Sequence, residues 1–321
     1  MHIDSHDSET GHVDHDHTTE CGHCHHDHTN AHCDHHHHHH DGVPDPRTGE
    51  QGILLSAFGC ALPHTHKHYD LFEEEVRRNH PDMAVRWAFT ANRIRTKLLG
   101  RGIKCQSVAE ALSQMIDDGI SHVAVQSMHT LPGVEYDWTV QQAKAMCHPR
   151  KGLTQIAIGA PLLQSMSDLK RAAKAVLQCL LPKCGREDGV ILVGHGTYHQ
   201  SHTLYLALES LLLRTNSNVA MATLMDSNQP TDLGRKFLDR GMKRVFLVPF
   251  MCVPGHHVHV DLFGDHDHAW LKKLTAMGIE VVPVHTGSLE HLGFRDIWHD
   301  HLSEAITDLA ASQVSQQTDL P

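Results

Sequence analysis

The chain has 321 residues, enough for two ordinary domains or for one two-lobed domain with a tail. Its formal charge is −11 at pH 7, but residues 1–46 alone carry −10, because they contain ten acidic residues and no Lys or Arg. The rest of the chain is nearly neutral and has no basic run, which argues against a nucleic-acid-binding protein. No apolar run reaches the roughly 20 residues that a membrane-spanning helix needs, which argues against a membrane protein.

The N-terminal segment is unusually rich in histidine. Sixteen of the 35 His residues precede residue 41, and three of the nine Cys lie among them. Residues 1–50 have almost no aliphatic side chains, so we predict a disordered metal-binding tail. Its six consecutive His are also typical of a purification tag, but the Cys, Asp and His around them favour a natural tract. Such a tract would bind Ni²⁺, Cu²⁺ and Zn²⁺ as well as Co²⁺.

The sequence also predicts a cytoplasmic protein. The first ten residues, MHIDSHDSET, have neither the basic nor the apolar region of a secretory signal. The six Cys outside the tail are scattered through apolar or helical stretches, which does not indicate a disulfide framework.

From Gly52 onward, short apolar runs alternate with helical patterns. Strands are predicted at residues 52–59, 83–90, 122–129, 153–162, 189–196, 219–226, 244–251 and 279–284. Helices are predicted at 68–79, 93–99, 108–118, 167–181, 203–213, 232–240, 268–277 and 289–311, with a further helix beginning near Tyr136. Strands that are apolar throughout and separated by helices indicate a parallel sheet covered on both faces.

The sequence contains an internal repeat. DGISHVAVQSMHTLPGVEYD at 118–137 aligns without a gap through its strand with RGMKRVFLVPFMCVPGHHVHVD at 240–261. This alignment places Glu135 opposite His257. A second alignment, of GILLSAFG with GVILVGHG, places Phe58 opposite His195.

The repeat predicts an α/β protein with two similar lobes, each a parallel four-stranded sheet flanked by helices, related by a pseudo-two-fold axis. We place the disordered tail at 1–50, the N-terminal lobe at 51–185 and the C-terminal lobe at 186–315. The cleft at the carboxyl ends of the parallel strands is where such folds bind ligands.

Four polar side chains are predicted at that edge. His195 follows GVILVG, Asp226 ends VAMATLMD, and Glu135 and His257 follow the third strand of each lobe. Each also has a structural interpretation: His195 packed at a tight turn, Glu135 and Asp226 capping helices, and His257 solvated. Their convergence at the ligand-binding edge favours a functional site.

Imidazole and carboxylate groups without a cysteine cluster suit a borderline divalent ion such as Co²⁺, Fe²⁺, Ni²⁺ or Zn²⁺. Imidazole also suits proton transfer near neutral pH. His256 and His259 are alternatives to His257, because three His within four positions make the register ambiguous. GxGxxG after the first strand, GxxxxGK[ST], HExxH and GxSxG are all absent, which argues against dinucleotide binding, P-loop chemistry, zincin proteolysis and the usual serine hydrolases.

The segments QSMHTLPGVEYD, GHGTYH and VPFMCVPGHHVHVD resemble, in the same order, three signature regions of the CbiK-type anaerobic cobaltochelatases. These are sirohydrochlorin cobaltochelatases of cobalamin synthesis and distant relatives of ferrochelatase. The resemblance covers residues 52–312 and implies the chelatase fold. It also implies that His195 is the base and a metal contact, that Glu135 is both catalytic and a metal contact, and that His257 contacts the metal. Asp226 stands where the family commonly has Glu, so its role as a ligand stays open.

The implied substrates are sirohydrochlorin and Co²⁺, with Fe²⁺, Ni²⁺ or Zn²⁺ as alternative metals and no nucleic-acid or membrane partner. A non-catalytic carrier of metal or tetrapyrrole could use the same cleft, and a metal-dependent hydrolase is a weaker alternative. Arg93, Arg95 and Lys97 are candidates to bind substrate carboxylates, or else form a solvated helix face. A homo-oligomer, bound haem and the choice between cobalt and iron are left open.

Overall fold

The structure, a computed structural model, describes residues 50–179, 184–185, 187–225 and 229–318. Asp226 and all but the last residue of the predicted tail lie outside the described residues. Three of the seven residues of the predicted boundary between the lobes, 182, 183 and 186, lie outside them as well.

The described residues form eight strands in two sheets. The strands are β1 Glu50–Ala57, β2 Ala84–Phe89, β3 Ile120–Ser127, β4 Gln155–Gly159, β5 Asp188–Gly194, β6 Val219–Thr223, β7 Arg244–Pro249 and β8 Glu280–Pro283. All pairings are parallel, and the strand orders are β2-β1-β3-β4 and β6-β5-β7-β8. The identical order confirms the predicted pair of four-stranded α/β sheets.

The register places β1 and β5 in equivalent interior positions. Leu55 of β1 lies between Trp87 of β2 and Gln126 of β3. Leu192 of β5 lies in the same way between β6 and β7. The residues that follow β1 and β5 therefore leave the interior of each sheet at its carboxyl edge.

Nine helices flank the sheets in the described part of the chain. They are α1 Pro63–Asn79, α2 Asn92–Leu99, α3 Val108–Asp117, α4 Val134–Met146, α5 Met166–Cys179, α6 Thr203–Leu213, α7 Gln229–Asp239, α8 Trp270–Ala276 and α9 Leu292–Thr318. Helix α1 begins five residues before the predicted His68, because Pro63 favours the first helical position. None of the described helices combines the length and the apolar character that a membrane crossing requires.

Both faces of each sheet are packed, as the apolar strands predict. Ile53 and Leu55 share one hydrophobic cluster with Val190 and Leu192 of the other sheet. The intervening Leu54 faces a second cluster on the opposite side of its sheet. The two lobes are thus joined by a continuous core rather than by a linker.

The C-terminal helix ties the lobes together further. Although α9 follows the second sheet in the chain, it packs on β3 and β4 of the first. Within α9, the buried His301 places Nε2 3.1 Å from Asp168 Oδ1 and Nδ1 3.1 Å from the Ala160 carbonyl. This packing makes the strand edges that carry the candidate site part of one compact body.

Two predicted strands are too long at their carboxyl ends. β4 ends at Gly159 rather than at residue 162. β6 ends at Thr223, whereas the sequence pattern extended it to Asp226. Leu224 and Met225 continue the apolar run but lie in a turn, so apolar character alone overestimated the strand.

Candidate metal-handling site

His195 is the first residue after β5, and the structure explains both glycines beside it. A Cβ at Gly194 would lie 2.6 Å from the Tyr205 ring, so only glycine allows that ring to approach. Gly196 has a φ of +87°, which glycine adopts without strain. The chain does make the tight turn that the structural interpretation predicts, but the His195 side chain is exposed to solvent rather than packed in that turn.

His195 and His257 lie against each other. Their ring centroids are 5.0 Å apart and the rings meet edge to face. His195 Nδ1 lies 3.0 Å from the Gly196 carbonyl, and His257 Nδ1 lies 2.6 Å from Asp261 Oδ2. When Nδ1 of a neutral imidazole donates to such an acceptor, the lone pair is at Nε2. Both rings are therefore oriented to offer Nε2 to a metal ion or a proton.

The backbone after β7 creates this arrangement. His257 caps a five-residue π-helix, Val258–Leu262, and Asp261 lies within it. A π-helical turn is wider than an α-helical one and is frequent at functional sites. Of the two alternatives to His257, His256 has its ring centroid 6.0 Å from that of His257, whereas His259 contacts other imidazoles.

Glu135 is in the first turn of α4, next to the loop that carries His195. A Cβ at Gly133, the residue that caps α4, would lie 3.4 Å from Ser201 Oγ. Asp137 Oδ2 lies 3.5 Å from His199 Nε2. Among the described residues, Glu135 forms no hydrogen bond or ion pair with His195 or His257. The structure thus brings the first turn of α4 against the loop that follows His195, and the role of Glu135 in a shared site stays a prediction.

The His195–His257 pair does not provide a complete set of protein ligands for a metal ion. In the described ranges, no group of three or more His, Cys, Asp and Glu side chains is arranged to hold a metal ion. Structural metal sites in proteins usually have four protein ligands. The two exposed imidazoles therefore suit a transient contact with an ion better than a permanent site.

Sequence reasoning named His259 as an alternative ligand but missed the two imidazoles beside it, His64 and His285. His64 Nε2, from the first turn of α1, lies 3.3 Å from His259 Nε2. The ring centroid of His285, which follows β8, is 6.5 Å from that of His259 and 4.7 Å from that of Phe263. Burial lowers the pKa of His259, and His64 and His285 add to this effect. The signal in the sequence was the run HTHKH at 64–68.

His129 was also missed. It follows β3 at the same edge of the sheet, and its Nδ1 lies 2.9 Å from Ser127 Oγ. Its Nε2 is shielded from solvent and has no hydrogen-bond partner among the described residues. Burial lowers the pKa of His129 to about 4, so the ring is neutral near neutral pH.

The three predicted basic residues differ in their contacts. The Arg95 guanidinium donates to the carbonyls of Phe89 and Thr90, so it holds the end of β2. Arg93 and Lys97 are exposed on α2. Arg95 therefore has a structural role, whereas Arg93 and Lys97 keep charges that a substrate carboxylate could reach.

Exposed aromatic groups lie beside the sheet ends. Phe58, the repeat partner of His195, is 48% exposed, and Tyr198, three residues after His195, is 98% exposed. Both rings present apolar surface to solvent.

The comparisons with known proteins agree with the fold. A family model described as cobalt chelatase (CbiK) matches residues 51–307. The sirohydrochlorin cobaltochelatase CbiKC of Nitratidesulfovibrio vulgaris is 37% identical over 260 residues, which covers 81% of this chain and 92% of that protein. The sirohydrochlorin cobaltochelatase of Salmonella typhimurium is 27% identical over 259 residues, covering 80% of this chain and 97% of that protein.

Solved structures show the same fold at low sequence identity. SirB from Bacillus subtilis with Fe³⁺ has a TM-score of 0.60 and 15% identity, and the match covers 83% of this chain and 98% of that one. The sirohydrochlorin chelatase SirB of Bacillus subtilis subspecies spizizenii in complex with cobalt has a TM-score of 0.57 and 13% identity, covering 80% and 95%.

Proposed function

The chain belongs to the cobalt chelatase (CbiK) family, and we propose that it is a sirohydrochlorin cobaltochelatase, a lyase that inserts Co²⁺ into sirohydrochlorin. The observation that carries the proposal is the contact of His195 with His257, whose rings lie 5.0 Å apart in the segments that follow two adjacent strands, β5 and β7. The relatives' names supply the substrate, and the residues supply the chemistry.

The reaction releases protons. When Co²⁺ enters the tetrapyrrole, four nitrogens bind it, two pyrrole N–H bonds break and two protons leave. A neutral imidazole with a free Nε2 can accept a proton near neutral pH. His195 serves as the main base, since its Nδ1 is already engaged by the Gly196 carbonyl.

The same imidazoles deliver the metal. His195 and His257 bind Co²⁺ through Nε2, and two imidazoles release an ion more readily than a closed shell of thiolates would. Asp261, bonded to His257 Nδ1, balances the positive charge of the metal or of a protonated ring. Glu135 adds a further carboxylate from the opposite lobe, and Asp226 remains a proposed ligand.

The surroundings suit a flat, acidic substrate. The exposed rings of Phe58 and Tyr198 offer apolar surface for a tetrapyrrole, while Arg93 and Lys97 offer charge for its carboxylates. We propose Co²⁺ as the metal, with Fe²⁺ as the alternative to be measured alongside it.

The direct test is metal insertion by the purified full chain. Sirohydrochlorin and Co²⁺ are mixed without oxygen, and the absorption change on formation of cobalt-sirohydrochlorin is timed against a protein-free control. A clear acceleration that the double variant His195→Ala/His257→Ala loses supports the proposal. Binding of both substrates without acceleration would instead identify a carrier.

A matched control is the exposed His268, whose ring contacts His266 rather than the site. His268→Ala removes one imidazole without changing the cleft, so it should insert cobalt at the wild-type rate. Repeating the assay with Fe²⁺ compares the two metals on the same protein.

A further inference from the structure

The imidazole pair His64 and His259 joins the two lobes. His64 belongs to α1 of the first lobe, and His259 to the π-helix of the second. Their Nε2 atoms are 3.3 Å apart, and their rings meet edge to face with centroids 5.2 Å apart. Both side chains are exposed, so an ion from solvent can reach them.

The separation of the two nitrogens matches that of two ligands on one metal ion. Imidazole nitrogens bind ions such as Zn²⁺ at about 2.0–2.1 Å. Two nitrogens at that distance are about 3.0 Å apart when they subtend a right angle at the metal, and about 3.4 Å apart at the tetrahedral angle. The observed 3.3 Å falls between these values.

A hydrogen bond between the rings explains the geometry less well. It needs a proton on one Nε2 and a lone pair on the other, and 3.3 Å is longer than the roughly 2.9–3.0 Å of a typical N–H hydrogen bond. Exposed groups also gain little from such a bond, because water competes for both nitrogens. A shared cation uses both lone pairs at once.

We propose that His64 and His259 form a second binding site for a divalent transition-metal ion, distinct from the His195–His257 pair. Two imidazoles and several waters would complete the coordination, which suits Co²⁺, Ni²⁺, Cu²⁺ or Zn²⁺. His259 is two residues from His257 in the chain, so both proposed sites use the same π-helical segment of the second lobe. The site does not depend on the proposed chelatase reaction, because it is defined by metal binding alone.

The first test locates the ion. Crystals of the full chain are grown with Co²⁺, and anomalous diffraction is measured at the cobalt absorption edge. The expected result is a peak about 2.1 Å from both His64 Nε2 and His259 Nε2. The same crystals of His64→Gln should lose this peak, since the amide can replace a hydrogen bond but is a poor ligand for such ions. A peak at His195 and His257 with none at His64 would overturn the proposal.

The second test counts ions in solution. Equilibrium dialysis against Co²⁺ compares the full chain with His64→Gln and with His268→Gln, so that the His-rich N-terminal segment contributes equally to all three. The proposal predicts that His64→Gln binds one Co²⁺ fewer per chain, while the exposed-site control His268→Gln binds as many as the wild type. Equal binding by all three would show that His64 and His259 form only a hydrogen bond. Neither test requires turnover, so a failed chelatase assay leaves their outcome interpretable.

Discussion

Asp261 Oδ2 lies 2.6 Å from Nδ1 of His257, four residues earlier in the chain, because the π-helix that begins at Val258 brings the carboxylate back beside the ring. This contact fixes which nitrogen of His257 faces the cleft. It also places the negative charge of Asp261 next to the His257 ring, which we propose binds first a metal ion and then a proton.

Asp261 should therefore act as a positioning residue. Asp261→Asn keeps an oxygen that can accept the Nδ1 proton but removes the charge, so we expect the KM for Co²⁺ to rise roughly 10- to 100-fold. Steady-state kinetics at varied Co²⁺ separate this rise from a change in kcat. The exposed Asp267→Asn is the matched control and should leave the KM for Co²⁺ unchanged. A wild-type KM for Asp261→Asn would contradict the role.

His195 should be the more important of the two imidazoles for proton transfer. The repeat gives it no polar counterpart, since Phe58 holds the matching position. We expect His195→Ala to reduce turnover roughly 100-fold or more, the scale on which a general base contributes. The measurement is the initial rate of cobalt insertion at saturating Co²⁺, with circular dichroism to show that the variant is folded. Near-normal turnover by folded protein would exclude His195 as the base.

The fold was predictable because it depends on local patterns that occur twice. Apolar runs, glycines and the 118–137 repeat are visible in the sequence, and the identical strand orders follow from them. His195 directly follows β5, as the strand pattern predicts, whereas His257 lies eight residues beyond the end of β7, and the functional roles of both stay predictions. The facing of Glu135 and His257 across the cleft stays a prediction.

The contacts that were missed join residues far apart in the chain. His64 and His259 are separated by 195 positions, and nothing local to either indicates the other. The packing of α9 on the first sheet likewise depends on three-dimensional closure. The contact of Asp261 with His257 is local, but it depends on a π-helix that the alternation of His and Val in HHVHVD does not predict.

The glycine before His195 should be intolerant of substitution. A Cβ at Gly194 would lie 2.6 Å from the rigid Tyr205 ring, so Gly194→Ala must displace either the ring or the end of β5. Overpacking of this kind costs about 1–3 kcal/mol of unfolding free energy, and it should lower turnover because His195 moves with the strand end. Thermal unfolding and the cobalt insertion rate measure the two effects.

Gly100→Ala is the control for that substitution, since its Cβ would meet atoms only at 3.6 Å or more and its φ is −61°. It should leave the insertion rate unchanged. If Gly194→Ala were equally harmless, the explanation of the GHG segment by the Tyr205 ring would be wrong.

His129, which is half-buried with its Nε2 shielded from solvent, should make the protein sensitive to acid. Its pKa is about 4 in the folded protein and about 6.5 in the unfolded chain. Between these values the unfolded chain binds the extra proton, so the contribution to stability is complete above pH 6.5 and is lost as the pH falls toward 4. The loss is roughly 3 kcal/mol over that interval. The free energy of unfolding, measured with urea at pH values from 7 to 4, should fall less steeply for His129→Asn than for the wild type. An equally steep fall in both proteins would show that His129 does not titrate in this way.

The His-rich N-terminal segment should matter only when metal is scarce. Residues 1–46 lie outside the repeat that builds the cleft, and the first strand begins at Glu50, so the body should fold without them. A tethered metal-binding segment would raise the local concentration of Co²⁺, an advantage that saturating free metal removes. Deleting residues 1–46 should therefore leave the insertion rate unchanged at high Co²⁺ and lower it at limiting Co²⁺. Equal loss at every Co²⁺ concentration would mean that the segment supplies a ligand to the reaction itself, beside His195 and His257.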